Sequence, residues 1–281
     1  MATTSSATTC YRHPDRETGV RCSSCGRPIC PDCMTSTPVG MRCPECSKQT
    51  TKVRDLSRTA TGSMEVTRAL IAVNVIIFVA QLASGGSIRG GGGDVYVYGA
   101  TFGPLIAEGE LWRIVTGGFL HGGIFHLGLN MVALWFLGQW LESEVGSRRF
   151  GLIYGVSLLG GAFGVMLLDP FAATAGASGA IYGLFGALMA SMRARGMDAL
   201  RSPLGFILGI NLLITFTIPN ISIGGHLGGL AMGFVVGLML LELPRRLRSQ
   251  VAPVAIVVGL GVLAAAGAYL LAVNALGAAI I

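Results

Sequence analysis

Charge is what this sequence has least of. Only 12% of its 281 residues are Asp, Glu, Lys or Arg, against roughly a quarter in a soluble domain. Seven apolar runs, at about 69–83, 120–141, 150–168, 178–192, 204–218, 224–241 and 253–276, contain none of the four. Together with 52% hydrophobic residues and a mean hydropathy of +0.66, this excludes an ordinary soluble domain. It predicts an all-α polytopic membrane protein with seven transmembrane helices. The runs also lack a carboxylate, and no inverted repeat is evident, which argues against an ion- or proton-coupled transporter. Cysteine is absent after Cys46. Nor does the N-terminus hold the basic-then-apolar stretch of a cleavable signal, so none is expected.

The charges that are present are clustered between the runs. Lys48, Lys52, Arg54, Arg58 and Arg68 precede the first. Arg148 and Arg149 separate the second from the third, Arg193, Arg195 and Arg201 the fourth from the fifth, and Arg245, Arg246 and Arg248 the sixth from the seventh. The alternate loops hold only Arg89 and Arg113. By the positive-inside rule the N-terminus is cytoplasmic and the C-terminus lies on the opposite side, with the cell membrane as the expected location. The net charge of +6 therefore speaks for membrane topology, and no nucleic-acid partner is expected.

All seven cysteines lie in short-spaced pairs: Cys22-x2-Cys25, Cys30-x2-Cys33 and Cys43-x2-Cys46, preceded by Cys10-x2-His13. Eight such ligands suffice for two structural zinc ions. A disulfide knot would suit an oxidising compartment, not a cytosolic head. The segment resembles the cross-braced B-box and RING folds. That resemblance implies one zinc on Cys10, His13, Cys30 and Cys33 and a second on Cys22, Cys25, Cys43 and Cys46; sequential pairing is the alternative. The chain thus divides into a zinc-binding head (1–47), a basic linker (48–67) and a membrane domain (68–281). So small a head buries little core, and metal would supply most of its folding energy. It would bind a cytosolic protein, regulate the membrane domain, or only cap the N-terminus.

Two polar residues stand out within the apolar, glycine-rich segments. Ser178 lies in Gly176-Ala-Ser-Gly-Ala-Ile-Tyr-Gly and His226 in Gly224-Gly-His-Leu-Gly-Gly. An ionisable side chain in hydrocarbon points to function, and a hydroxyl with an imidazole is the minimum kit for nucleophilic catalysis. They can meet only if the fourth span packs on the sixth. Gly179, Gly183 and Gly186 share one face of the fourth, and Gly229, Gly233 and Gly237 recur every four residues on the sixth, which permits close approach. The fourth run is short and starts at Ser178. The loop 169–177 is therefore expected to dip below the membrane surface, where irregular backbone needs protein or a wet cavity around it. No acidic residue falls in the runs to complete a triad.

With these motifs the region from about residue 68 onward resembles the rhomboid family of intramembrane serine proteases. The resemblance rests on Gly176-Ala-Ser178-Gly179, on His226-x2-Gly229-x3-Gly233-x3-Gly237, on His121-x4-His126-x3-Asn130 and on Trp112-Arg113. It implies a bundle of six helices plus one and cleavage of single-span membrane proteins in the lipid bilayer, with no catalytic cofactor. Ser178 would be the nucleophile and His226 the general base of a dyad. Tyr182 would support the imidazole, and His126, Asn130 and the Ser178 amide would serve the oxyanion; His121 would be structural. Residues 84–111 would form a loop along the membrane interface, anchored at headgroup level by Trp112 and Arg113. The fifth span would line a cavity open to a substrate helix, with Phe206 and Phe216 at its ends. The alternative is an inactive relative that binds membrane proteins and uses its head to hold a partner.

Overall fold

A computed structural model of the chain describes residues 8–38, 40–48, 64–247, 249 and 251–280. The chain divides into two compact units, Met1–Ser57 and Arg58–Ile281. Most of the basic linker, including Lys52, Arg54 and Arg58, lies outside the described residues, as do the side chains of Arg245, Arg246 and Arg248.

The first unit is small and loop-rich. A hairpin pairs β1 (Thr35–Thr37) with β2 (Gly40–Arg42), and α1 (Pro44–Ser47) follows at once. Pro44 opens α1 with a preset φ, and Cys43 caps it by accepting from the Cys46 amide. Its buried residues are six of the cysteines and Ile29, with Tyr11 and Met34 packed beside them. That is too little hydrocarbon to hold a fold by burial alone.

The second unit is helical: α2 (Glu65–Ala83), α3 (Asp94–Gly99), α4 (Gly103–Ala107), α5 (Arg113–Thr116), α6 (Ile124–Val145), α7 (Ser147–Leu168), α8 (Ser178–Ala194), α9 (Pro203–Thr217), α10 (Ile223–Leu247) and α11 (Val251–Ile280). Among the described residues, five helices are long and apolar enough to cross a membrane: α2, α6, α7, α10 and α11. The other two apolar runs become α8, with 17 residues, and α9, with 15. Of the helices formed by the seven apolar runs, the fifth, not the fourth, is thus the shortest.

Helix α8 is the centre of the bundle. Every residue from Ala180 to Leu188 is buried, as expected of a helix apolar on all sides. Helix α10 packs against it through backbone. A Cβ on Gly229 would collide with the Gly179 carbonyl, and one on Gly233 with the Gly183 carbonyl. A second seam, not read from the sequence, joins α7 to α10. There Gly164 meets Gly224, and Gly228 meets the Gly160 carbonyl. Helix α11 lies on α7, where Gly267 faces the Phe163 ring, and α4 joins it through Ile106, Ala268 and Ala272.

The structure departs from expectation in three places. Helix α6 extends past residue 141 and carries a buried acid, Glu142. Its carboxylate accepts from the amides of Val66 and Thr67 at 3.0 and 2.9 Å and from the hydroxyls of Thr67 and Ser147 at 2.6 and 2.7 Å. It caps α2, whose first-turn N–H groups lack intrahelical acceptors. The interfacial segment is not a plain loop either, since it folds into α3 and α4. Arg113 does not reach for headgroups. It is buried, donates to the Val97 and Ala100 carbonyls at 2.7 and 3.0 Å, and pairs with Glu110 at 2.6 Å. It collects carbonyls that the bends of this segment leave without helical partners. Trp112 is exposed, and its indole N–H donates to the Tyr98 carbonyl at 3.0 Å.

Candidate active site

The site is assembled from α6, α8, α9 and α10. Ser178 is the first residue of α8, so its amide is one of those that no carbonyl of the helix can accept. The loop before it is pinned by backbone bonds: Thr101 and Thr174 pair at 2.9 Å in both directions, and the Gly176 amide donates to the Gly117 carbonyl at 2.9 Å. Gly176 has φ +144°, and a Cβ there would stand 2.8 Å from Cε1 and 2.9 Å from Nε2 of His126. Only glycine fits, because both the torsion and the contact exclude a side chain.

Packing of α10 on α8 brings His226, 48 positions on in sequence, to Ser178. Nε2 of the imidazole lies 2.8 Å from the serine Oγ. The Tyr182 ring, one turn along α8, stacks on the imidazole with centroids 4.1 Å apart and planes 16° from parallel. On the other side of the ring, Nδ1 lies 2.8 Å from Oγ1 of Thr215 on α9. Nothing in the sequence pointed to Thr215, one threonine in an apolar run.

Helix α6 contributes His126 and Asn130. His126 accepts from the Gly122 amide through Nδ1 at 3.3 Å. Its ring proton is then on Nε2, the nitrogen beside Gly176. Asn130 is 6% exposed, and its Nδ2 is buried without a partner. A buried amide donor left unpaired is costly, so such a group marks a place where an acceptor is expected. His121 is fully buried behind them, edge-on to His126 at 5.1 Å. Its backbone is clamped by the Gln81 amide, with both bonds 3.0 Å long.

Ser178, His226, Tyr182, His126, Asn130 and Thr215 all line one cavity of about 1100 Å³. It extends between α6 and α9, past Val132, Phe136 and Trp140 on one wall and Leu204, Ile207 and Ile214 on the other. Phe206 and Phe216 are exposed and do not line it. The stretch is lined mainly by apolar side chains, and the polar groups converge at its Ser178 end.

In the first unit the ligand candidates gather as two clusters. Cys10, His13, Cys30 and Cys33 form one, and Cys22, Cys25, Cys43 and Cys46 the other; within each, the ligand atoms lie within 4.8 Å of one another. His13 Nδ1 is 3.9, 3.3 and 3.5 Å from the sulfurs of Cys10, Cys30 and Cys33, and the Cys25 and Cys43 sulfurs are 3.8 Å apart. A tetrahedron with Zn–S bonds of about 2.3 Å has edges of this length. All seven cysteines are free thiols. The grouping is interleaved, the first pair with the third and the second with the fourth, and not sequential in this structure. Each cluster sets donors against one another. The Cys43 amide, donating to the Cys22 sulfur at 3.3 Å, holds that thiol at about 6. Burial, with the neighbouring Cys10 and Cys30 sulfurs, pushes Cys33 up to about 11. A central dication would let all the sulfurs of a cluster be thiolates together.

Comparison with known proteins agrees with the second unit. The family model of the Rhomboid domain matches residues 108–243, from before α5 into α10. GluP of Bacillus subtilis, named a rhomboid protease, is 37% identical over 207 residues, covering 70% of this chain and 40% of that protein. RHOMBOID-like protein 1 of Arabidopsis thaliana is 37% identical over 147 residues, 50% of this chain and 37% of its own length. The chain therefore spans less than half of these two relatives. YdcA of B. subtilis is 32% identical over 146 residues, and there the alignment covers 73% of the relative. With the matched region carrying Asn130, Ser178 and His226, and with five helices long and apolar enough to span a bilayer among the described residues, the chain is an integral membrane protein and belongs to the rhomboid family.

Proposed function

We propose that the chain is an intramembrane serine endopeptidase that cuts single-span membrane proteins with a Ser178–His226 dyad. The observation that carries this reading is the 2.8 Å approach of His226 Nε2 to Ser178 Oγ at the polar end of a large apolar cavity. The naming of GluP as a rhomboid protease supports it.

In this mechanism His226 takes the hydroxyl proton as Oγ attacks a peptide carbonyl, then gives it to the departing amine; water hydrolyses the acyl-serine by the same steps in reverse. The oxyanion accepts hydrogen bonds from the Ser178 amide, His126 Nε2–H and Asn130 Nδ2. All three are held by the fold before substrate arrives, which is where such stabilisation comes from. Substrate helices would need a locally unwound segment, because an intact helix keeps its carbonyls bonded and out of reach. No cofactor enters these steps.

The head is proposed to hold one structural zinc per cluster, to face the cytoplasm, and to form a domain joined by a basic linker to the membrane domain. The cell membrane is the proposed location.

A serine-reactive fluorophosphonate tests the nucleophile directly. Labelling of the purified protein should occur at Ser178 and vanish in His226→Ala, since the hydroxyl needs its base. A label elsewhere, or one indifferent to His226, contradicts the assignment. Asn130→Ala is expected to lower kcat by ~10²–10³-fold with little change in KM, the usual cost of an oxyanion donor. An unchanged kcat removes Asn130 from the hole.

A further inference from the structure

We infer that Thr215 is a positioning residue that fixes the working tautomer of His226, by accepting a hydrogen bond from its Nδ1–H. The inference rests on the dyad proposed above and adds a third member to it, from a different helix.

Thr215 is 2% exposed, and its Oγ1 has three neighbours at 2.8 Å: the Asn211 carbonyl, the Tyr182 hydroxyl and His226 Nδ1. A threonine hydroxyl has one proton to give and two lone pairs to receive with. A carbonyl oxygen can only accept, so the proton of Thr215 goes to Asn211, one turn earlier on α9. Both lone pairs are then left for donors. Tyr182 supplies its O–H, and His226 must supply Nδ1–H. A neutral imidazole protonated on Nδ1 carries its lone pair on Nε2, the nitrogen 2.8 Å from Ser178 Oγ. That is the form a general base requires.

The surrounding geometry fits this role. Tyr182 stacks on the histidine and bonds Thr215 through its hydroxyl, so ring plane and tautomer are set by one residue pair. A carboxylate at position 215 would orient Nδ1 as well, but as a charge in an apolar bundle it would be costly. A hydroxyl back-bonded to its own helix does the orienting without the charge. Thr215 is also one of three buried residues on α9; the other two, Leu204 and Leu208, belong to the hydrophobic core. It is therefore the polar attachment of α9 to the dyad.

The test combines kinetics with a direct view of the proton. Thr215→Val keeps the shape and deletes the hydroxyl; Thr215→Ser keeps the hydroxyl. With a single-span substrate, Thr215→Val should lower kcat roughly 10–100-fold with KM within twofold, the cost of leaving a buried Nδ1–H without an acceptor. Thr215→Ser should recover most of that loss, which a mere packing role for the methyl group would not produce. Nitrogen-15 spectra of the four histidines should show His226 protonated on Nδ1 in the wild type and a mixture of tautomers in Thr215→Val. A wild-type kcat in Thr215→Val, or a wild-type His226 protonated on Nε2, overturns the inference. If the wild type neither cleaves nor takes a fluorophosphonate, the protease reading fails, and the spectra still decide the Thr215–His226 bond. Should Thr215→Val not fold, Thr215→Ser and the wild-type spectrum carry the decision.

Discussion

Stripping metal from the purified protein is expected to unfold the head and leave cleavage of a single-span substrate standing. The head has almost nothing else to hold it. Among the described residues of the head, Ile29 is the one fully buried side chain apart from cysteine, and the sheet is a hairpin of three residues per strand. Structural zinc in comparable small domains supplies on the order of 10 kcal/mol or more, which exceeds what this little burial provides. Elemental analysis should therefore return two zinc ions per chain, and a chelator should expose residues 8–48 to proteolysis. Cys22→Ser should do the same without chelator, because three ligands leave a charged, incomplete site. Turnover should stay within about twofold, since every group in the mechanism lies in the membrane domain. A head that stays resistant after metal is removed contradicts the zinc proposal. Turnover that falls with the metal would instead make the head a regulator.

The second large effect concerns the dyad. Ser178→Ala and His226→Ala should each lower kcat by roughly 10⁴-fold or more, and the double variant should be no worse than either alone. Groups that act as one unit are non-additive in this way, because removing the first already abolishes the step that the second serves. Neither change should disturb the fold. The Ser178 hydroxyl is hydrogen-bonded to His226, and the seam between α8 and α10 is made by glycines and carbonyls. Independent, multiplying losses would mean that the two residues serve different steps.

How far the sequence carried this account varied with the kind of signal. The metal clusters are legible because short-spaced pairs keep their meaning whatever the fold, although their interleaving came from resemblance, since spacing leaves the pairing open. The α8–α10 approach is legible because Gly229 and Gly233 repeat at helical spacing and nothing larger would fit. The α7–α10 seam obeys the same rule through Gly160, Gly164 and Gly228, but Gly160 and Gly164 sit in a run that reads as an ordinary span. Arg113 was misplaced because a lone arginine beside tryptophan looks interfacial. Its burial depends on the Val97 and Ala100 carbonyls, whose position only the folded segment sets. Thr215 left no trace at all. Its partners lie 33 and 11 residues away, and a hydroxyl satisfied within its own helix is unremarkable in an apolar run.

The central claim is that this molecule hydrolyses peptide bonds inside a membrane with the Ser178 hydroxyl. It is tested most directly by reconstituting the purified chain in lipid vesicles with a single-span substrate, wild type beside Ser178→Ala, and mapping the products by mass. The account predicts one cut within or at the edge of the substrate's span by the wild type and none by Ser178→Ala. Equal cleavage by both, or an intact substrate with wild-type protein that also resists fluorophosphonate, would contradict it.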